Sequence, residues 1–224
     1  MSRIQTVNIG VPRPNPAKSV GTTAIDRRPI DGPIYVRAPG PKGTGLGSGI
    51  VDDTVFDYAH HGGDDQAVYA YAREDLDAWE LTLQRELTCG MFGENITTVG
   101  VDLTYAVIGQ RWRVGEQVIL EVSGPRKPCG TFAHWMNEDR WVKRFIAHGA
   151  PGAFLRVIEE GEIKPGDRVE VIHTPTHDVT IDLTFRALLV DPDLLSSLLE
   201  ADALPESIKE LARRRARISS RSTC

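Results

Sequence analysis

Short apolar segments closed by turn-forming stretches fill the first two thirds of the chain, and they constrain its fold more than any other feature. Valine, isoleucine and aromatic residues concentrate in these segments, whereas glycine and proline concentrate between them, most densely over 39–48. This rhythm is typical of an antiparallel barrel or sandwich. The predicted strands span 4–9, 34–37, 67–71, 107–109, 111–114, 118–122, 154–158 and 169–172.

Two helices are predicted among these strands. In 73–87, Leu76, Trp79, Leu83 and Leu87 recur at helical spacing, which indicates a stripe packed into the core. In 137–147, two aromatic residues lie four positions apart and predict a second helix. The fold class is therefore mainly β with inserted helices (α+β).

The character of the sequence changes near Pro175. Helices are predicted over 181–190, 192–200 and 205–218, the second with Asp191 as its N-cap. We therefore divide the chain into a β domain, 1–174, and a three-helix extension with a basic tail, 175–224. That tail is expected to be a solvated helix face, although its arginines can also dock an acidic partner. The arginines are Arg213, Arg214, Arg215, Arg217 and Arg221.

Composition excludes several classes of protein. With 26 basic and 31 acidic residues the net charge is −5, which argues against binding of nucleic acid or anionic membranes by the chain as a whole, while a local basic pocket stays possible. Three widely separated cysteines, Cys89, Cys129 and Cys224, indicate neither a disulfide scaffold nor a metal-ligand spacing. The N-terminal residues lack the apolar core of a signal peptide, and no stretch approaches the roughly 20 apolar residues of a membrane span, so a reducing, cytoplasmic setting is expected.

Cys129 is the candidate reactive residue. It follows Pro125-Arg126-Lys127-Pro128, in which two prolines predict a stiff extended backbone and two cations favour the thiolate form. A cysteine at the end of a strand can equally be buried core filler. The residues of this segment alone leave both interpretations open.

Three further clusters can work with Cys129. Lys18 and Ser19 suit a phosphate or another oxyanion, or Lys18 is simply solvated. His61, Gly62, Gly63 and Asp65 place an imidazole and a carboxylate around one glycine-rich turn, which His61 can also cap. Glu94 and Asn95 follow a glycine-bracketed loop and either bind a polar ring or hold their own loop together.

Taken in order along the chain, these segments resemble the MOSC family, the domain found at the C-terminus of molybdenum cofactor sulfurases, and most closely its YiiM-like bacterial subfamily. The resemblance covers about 11–174 as a MOSC-type β-barrel, and the tail resembles the three-helix extension of YiiM-like proteins. The segments that carry it are Lys18-Ser19, 61–68 with the Trp79 helix, 92–96, 108–109 with 115–116, 123–129 and 165–167.

The resemblance implies a pterin-bound molybdenum site. It implies Cys129 as the thiolate ligand of the metal, which suits the preference of soft metals for sulfur. Lys18, Ser19 and Arg126 then suit the cofactor's phosphate. The remaining residues would line the cofactor pocket. Cys129, His61 and Asp65 are the implied catalytic residues, the latter two as proton-handling groups. The implied cofactor-binding residues are Gly62, Gly63, Glu94 and Asn95.

YiiM-like proteins reduce N-hydroxylated compounds such as hydroxylaminopurine to amines. The resemblance therefore implies a small-molecule substrate of this type and a separate reductase as electron donor, because the chain shows no flavin, haem or iron–sulfur signature. We expect no nucleic-acid or membrane partner, and a homodimer is possible. Two other functions stay open: a sulfur carrier with a Cys129 persulfide, and a non-catalytic anion-binding barrel.

The chain departs from its resemblance at two positions. Ala59 and Gln66 stand where relatives often carry basic residues, so we expect less positive charge in the pocket. Arg27, Arg28 or Arg140 can compensate for that loss.

Overall fold

The structure, a computed structural model, describes residues 1–221 and the side chains of residues 1–217. The side chain of Arg221 and the whole of Cys224 lie outside that part. The strands are β1 (Arg3–Asn15), β2 (Gly21–Ile30), β3 (Ile34–Val36), β4 (Val68–Ala72), β5 (Ile96–Val99), β6 (Arg111–Val114), β7 (Val118–Pro125), β8 (Ala153–Glu159), β9 (Gly161–Ile163) and β10 (Val169–His173). The helices are α1 (Arg73–Leu83), α2 (Gly130–Met136), α3 (Trp141–His148), α4 (Ile181–Leu189) and α5 (Glu206–Arg221), with 3₁₀ segments Asp64–Gln66 and Pro192–Glu200.

Eight strands form one mixed sheet in the order β10-β6-β7-β8-β4-β5-β1-β2, and β3 pairs with β9. The β4–β5 pair is parallel, whereas the other described pairs are antiparallel. Arg3 at the start of β1 forms an isolated bridge to Arg168, and the Val169 N–H donates to the Ser2 carbonyl at 3.0 Å, so β1 meets β10. The predicted α+β class is confirmed, but the sheet is barrel-like rather than a closed barrel.

Several predicted elements have different bounds. The first helix ends at Leu83 instead of residue 87, because Gln84 adopts a left-handed conformation (φ 53°). The second predicted helix, 137–147, was wrong at its start. Asn137 ends α2 and Arg140 precedes α3, and both have positive φ, which an α-helix excludes. The predicted strand 107–109 is reduced to one bridge between Val107 and Thr180.

The C-terminal helices share a core with the strands. Leu195, Leu198, Leu204 and Ala212 belong to the same buried cluster as residues of the central sheet. The division into 1–174 and 175–224 stays a prediction. Within the described residues, no helix is long and apolar enough to cross a membrane.

A second, aromatic cluster fixes α2 and α3 against β4 and α1. Phe92 and Phe132 each meet Trp141 edge to face, with ring centroids 5.6 Å and 5.3 Å apart. Tyr71, Phe92, Phe132 and Trp141 are 0–1% exposed. Since α2 begins directly after Cys129, this packing fixes the position of the candidate thiol.

The Gly62-Gly63 pair joins two loops. The Gly63 N–H donates to the Gly47 carbonyl at 2.9 Å, and Gly62 and Gly63 have φ of 78° and 80°. A Cβ atom at Gly63 would lie 2.6 Å from the Lys42 backbone nitrogen. The two glycines therefore allow close backbone contact between these loops.

Gly63→Ala is expected to lower the free energy of unfolding, measured in urea, by at least about 1–3 kcal/mol. Its backbone angles, φ 80° and ψ 173°, lie in a region that is nearly exclusive to glycine. Gly130→Ala is the matched control, because a Cβ there meets nothing within 4 Å and the residue begins a helix. Equal stabilities of the two variants would contradict the strain at Gly63.

Candidate functional site

A cavity of about 350 Å³ lies where the β1–β2 hairpin, the loop before β4 and the β7–α2 junction meet. Its volume falls within the range of small-molecule sites, roughly 300–1,000 Å³. The predicted site residues that line it are Lys18, His61, Gly62, Asn95, Arg126 and Cys129. The predicted site residues that do not line it are Ser19, Gly63, Asp65 and Glu94.

Cys129 lies at the N-terminal end of α2, where an extended backbone (φ −130°, ψ 170°) leads from β7 into the helix. Burial raises the pKa of the Cys129 thiol, but a hydrogen bond with His61 and the charge of Arg126 outweigh it, and the Phe132 N–H adds to the lowering. The pKa of this thiol therefore falls from 9.0 to about 6. At neutral pH the side chain is a thiolate, the form that binds metals and attacks electrophiles.

Alkylation of Cys129 by iodoacetamide is expected to approach its maximal rate already at pH 7. In a Cys89→Ser/Cys224→Ser background it is the single cysteine of the chain. A thiol of pKa about 6 is about nine tenths ionised at pH 7, against about one hundredth for a pKa of 9.0. The rate should fall about tenfold per pH unit below pH 6 and flatten above pH 7.

The urea-unfolded chain is the reference, since its alkylation rate should still rise up to about pH 9. His61→Ala should move the native midpoint upward, because it removes the hydrogen bond to the thiolate. His134→Ala, on the exposed side of α2, should not. A native midpoint near pH 9 would contradict the acidic thiol.

Arg126 is held rigidly at the cavity wall. Its guanidinium carbon lies 4.1 Å from the centre of the Phe132 ring and 5.0 Å from that of Tyr69, and Nη1 donates to the Phe92 carbonyl. Stacking and hydrogen bonding together fix the cation beside Cys129.

The cavity concentrates positive charge although the chain is acidic. Its lining includes four cationic side chains and, among the described residues, one carboxylate, that of Asp57. The cations are Lys18, Arg27, Arg126 and Lys127. Three arginines were expected to replace the positive charge missing at Ala59 and Gln66. Arg27 belongs to the lining, whereas Arg28 pairs with Asp26 and Arg140 with Asp139.

Asp53 joins several parts of the cavity wall. Its side chain is 0% exposed, and Oδ2 accepts hydrogen bonds from Ser48 Oγ at 2.6 Å and Asn95 Nδ2 at 3.0 Å. Arg27 Nη1 lies 2.8 Å from the same oxygen. The two groups form an ion pair, but the geometry of the contact is not that of a hydrogen bond. Gly10 N–H donates to Oδ1 at 2.8 Å. Asp53 thereby orients three lining residues without lining the cavity itself.

Asn95 and Glu94 hold their loop. The Asn95 Oδ1 accepts from the Tyr69 N–H at 3.0 Å, so both ends of its amide are used within the protein. Glu94 is 0% exposed and accepts from the Gly90 and Phe92 N–H groups. Burial raises the pKa of the Glu94 carboxyl, although these hydrogen bonds oppose the shift. Their predicted cofactor-binding role stays a prediction beside this structural one.

Asp65 and Ser19 lie outside the cavity lining. Asp65 Oδ1 lies 2.6 Å from Arg156 Nη2, and its catalytic role stays a prediction. Ser19 is exposed in the hairpin turn next to Lys18. The Asp65 carboxylate therefore lies outside the cavity lining, which includes the His61 imidazole four residues earlier in the chain.

His60, which directly precedes His61 in the chain, lies at the rim of the cavity. Its Nδ1 lies 2.8 Å from Asp57 Oδ1, and both residues line the cavity. Burial raises the pKa of the Asp57 carboxyl, but the hydrogen bond with His60 outweighs it and the pKa is lowered. The His60 side chain is 66% exposed, so this pair connects the cavity with solvent.

Sequence reasoning missed several lining residues, among them Asn15, Thr131 and Phe56. Asn15 precedes the Lys18-Ser19 turn and Thr131 follows Cys129, so adjacency to both motifs was the available signal. Gln66, one of the two departures from relatives, also belongs to the lining.

Comparison with known proteins places this site in a family. A sequence profile of the MOSC domain matches residues 57–170, which include His61, Asn95, Arg126 and Cys129. The chain belongs to the MOSC domain family.

Within that family the chain is YiiM-like. It resembles the crystal structure of YiiM from Geobacillus stearothermophilus with a TM-score of 0.77 and 25% identity, covering 96% of this chain and 99% of that one. It is 30% identical to the uncharacterized protein YflK of Bacillus subtilis over 83% of this chain and 80% of that protein. It is 29% identical over 82% of its length to a Gibberella moniliformis protein named Reductase, of which the match covers 32%.

Proposed function

We propose that the protein is a molybdenum-cofactor-dependent oxidoreductase that reduces N-hydroxylated compounds to amines, with Cys129 as the thiolate ligand of the metal. The observation that carries the proposal is an acidic thiol inside a cavity lined by cations. Membership of the MOSC family supports the cofactor, and the name of the fungal relative supports an oxidoreductase.

The residues of the cavity fit such a cofactor. A thiolate at Cys129 suits a soft metal. Lys18 and Arg126 offer charge-assisted hydrogen bonds to a phosphate, and Arg126 is already fixed by its ring contacts. The amide side chains of Asn15 and Gln66 also belong to the lining and add polar groups beside these cations.

The overall reaction is R–NHOH plus two electrons and two protons, giving R–NH₂ and water. Bound molybdenum supplies the two-electron redox chemistry. The chain supplies the protons. Arginine side chains do not give up a proton in proteins, and His61 is engaged with Cys129. The imidazole of His60, which is exposed to solvent and is oriented by Asp57 at Nδ1, is therefore the proposed proton donor.

The proposal includes a separate reductase as the source of electrons and a small N-hydroxylated molecule as the substrate. Neither nucleic acid nor a membrane is expected as a partner, and a homodimer stays a prediction. Reduction should be measured with hydroxylaminopurine as substrate and the parent amine as product standard.

Metal and pterin analysis tests the proposal. Protein purified gently from a cofactor-competent host should contain molybdenum and pterin in equal amounts. Protein that contains neither would overturn the proposal.

A second candidate, a sulfur carrier, is favoured by the same acidic thiol. A persulfide on Cys129 needs an accessible nucleophile and a sulfur donor but no pterin. Cyanide-releasable sulfur that disappears in Cys129→Ser, in protein free of molybdenum, would establish this function instead.

A further inference from the structure

Phe56 is an aromatic residue of the cavity lining whose surroundings differ from those of the other aromatic lining residues. Phenylalanine and tyrosine contribute three side chains to the lining: Phe56, Tyr69 and Phe154. The rings of Tyr69 and Phe154 pack in the aromatic cluster, with centroids 5.1 Å apart. Within the described part of the chain, Phe56 packs against neither buried cluster and makes no ring–ring or cation–π contact.

The segment that carries Phe56 is fixed by its other side chains. Phe56 lies at a bend in the loop between β3 and β4 and is partly exposed. On either side of it, Val55 and Tyr58 lie against Gly47, where a Cβ would be 3.1 Å from Val55 Cβ and 2.9 Å from Tyr58 Cε1. The Phe56 ring is therefore held at the cavity without being taken up by the core, and a ligand that covers it gains the free energy of apolar burial.

The proposed proton donor belongs to the same segment. The backbone N–H groups of His60 and His61 donate to the Asp57 carbonyl at 3.1 Å and 2.9 Å. His60 is oriented by the Asp57 carboxylate, and His61 contacts Cys129. One turn thus carries the contact to the thiolate, the proton donor and, next to Asp57, the aromatic ring. A substrate that reacts between His60 and Cys129 shares its cavity with this ring.

We infer that Phe56 is a specificity-determining residue whose ring stacks on a planar ring of the N-hydroxylated substrate. Stacking on an aromatic side chain accepts any planar heterocycle, because each has a π-face, whereas a saturated ring has none. The protein therefore prefers aromatic and heteroaromatic hydroxylamines to aliphatic ones. The inference rests on the proposed function for the hydroxylamino group, whereas stacking requires only the planar ring.

The first test measures binding of 2-aminopurine, a fluorescent purine, to the full chain. Phe56→Leu should bind it about tenfold more weakly than the wild type, about 1.4 kcal/mol, because the stacked ring is lost. Phe56→Trp should bind it as the wild type does, because it restores an aromatic face. Tyr58→Leu is the matched control, since Tyr58 is 39% exposed, lies two residues away and is outside the lining. Thermal unfolding of each variant confirms that it is folded.

The second test compares phenylhydroxylamine with cyclohexylhydroxylamine in protein that carries molybdenum. Both have six-membered carbon rings, but only the first ring is planar. The ratio of their kcat/KM values should fall about tenfold in Phe56→Leu and stay unchanged in Phe56→Trp and Tyr58→Leu. Partial loss of fold or of cofactor lowers both values together, so a merely structural role of Phe56 would not move the ratio.

The outcomes separate this inference from the proposed function. An unchanged ratio in Phe56→Leu overturns the inference and leaves the proposed function intact. If Phe56→Leu keeps the ratio but loses pterin, the ring stacks on the cofactor instead, which also overturns the inference. Protein without molybdenum and pterin overturns the proposed function, and in such protein a tenfold loss of 2-aminopurine affinity in Phe56→Leu supports stacking at Phe56, whereas an unchanged affinity overturns it.

Discussion

Cys129→Ser is expected to abolish molybdenum binding and, with it, the reduction of N-hydroxylated compounds. A serine hydroxyl stays protonated at neutral pH and is a poor ligand for a soft metal. Because the cysteine itself is lost, the effect should exceed the 10–100-fold that is typical for residues supporting a metal ligand. Molybdenum per chain, pterin fluorescence and turnover of hydroxylaminopurine measure the loss.

Cys89→Ser is the matched control. Cys89 is the other free cysteine among the described residues, and it lies outside the cavity lining. This variant should keep wild-type molybdenum content and activity. A Cys129→Ser variant that remains fully active would exclude both the metal-ligand and the persulfide functions.

Asp53→Ala should lower the free energy of unfolding by about 3–5 kcal/mol, the usual cost of breaking a buried ion pair from one side. It leaves the Arg27 guanidinium, 12% exposed, without its counter-charge. It also removes the acceptor for Ser48 and Asn95, so the loop that flanks the cavity should loosen. Urea unfolding gives the stability, and molybdenum content shows whether the site is lost with it.

Asp139→Ala is the control for Asp53→Ala. Asp139 is 93% exposed and lies 3.7 Å from Arg140, so its removal should change stability by less than about 0.5 kcal/mol. Asp53→Asn separates charge from shape, because it keeps the size of the side chain and one acceptor oxygen. An Asp53→Ala variant as stable as Asp139→Ala would show that Asp53 does not hold the loops together.

Local patterns predicted some elements well and others poorly. Strand β6 has the predicted bounds, since alternating burial over 111–114 is a local property. Helix α2 was missed because its seven residues begin at a glycine and its stability comes from the aromatic packing of Phe132. The end of α1 depends on the left-handed Gln84, which no periodicity indicates.

The predicted site residues also differ in how far local patterns indicate their positions. The cavity brings Lys18, His61, Arg126 and Cys129 together as expected, whereas Asp65 faces Arg156 instead. A motif indicates which residues are near one another along the chain. It does not indicate which face of the local structure each side chain occupies.

The sequence by itself determined that Arg126 precedes Cys129 by three residues, between two prolines that keep the segment extended. The hydrogen bond with His61, which lowers the pKa of this thiol more than the charge of Arg126 does, is a tertiary contact. Only the tertiary structure decided which distant groups complete the site. Asn15 and Thr131 are 116 residues apart and share a hydrogen bond, and Asp53 joins segments 42 and 43 residues away. Such contacts depend on how the sheet curls and which loops it brings together, and neither property is encoded within any short stretch of the chain.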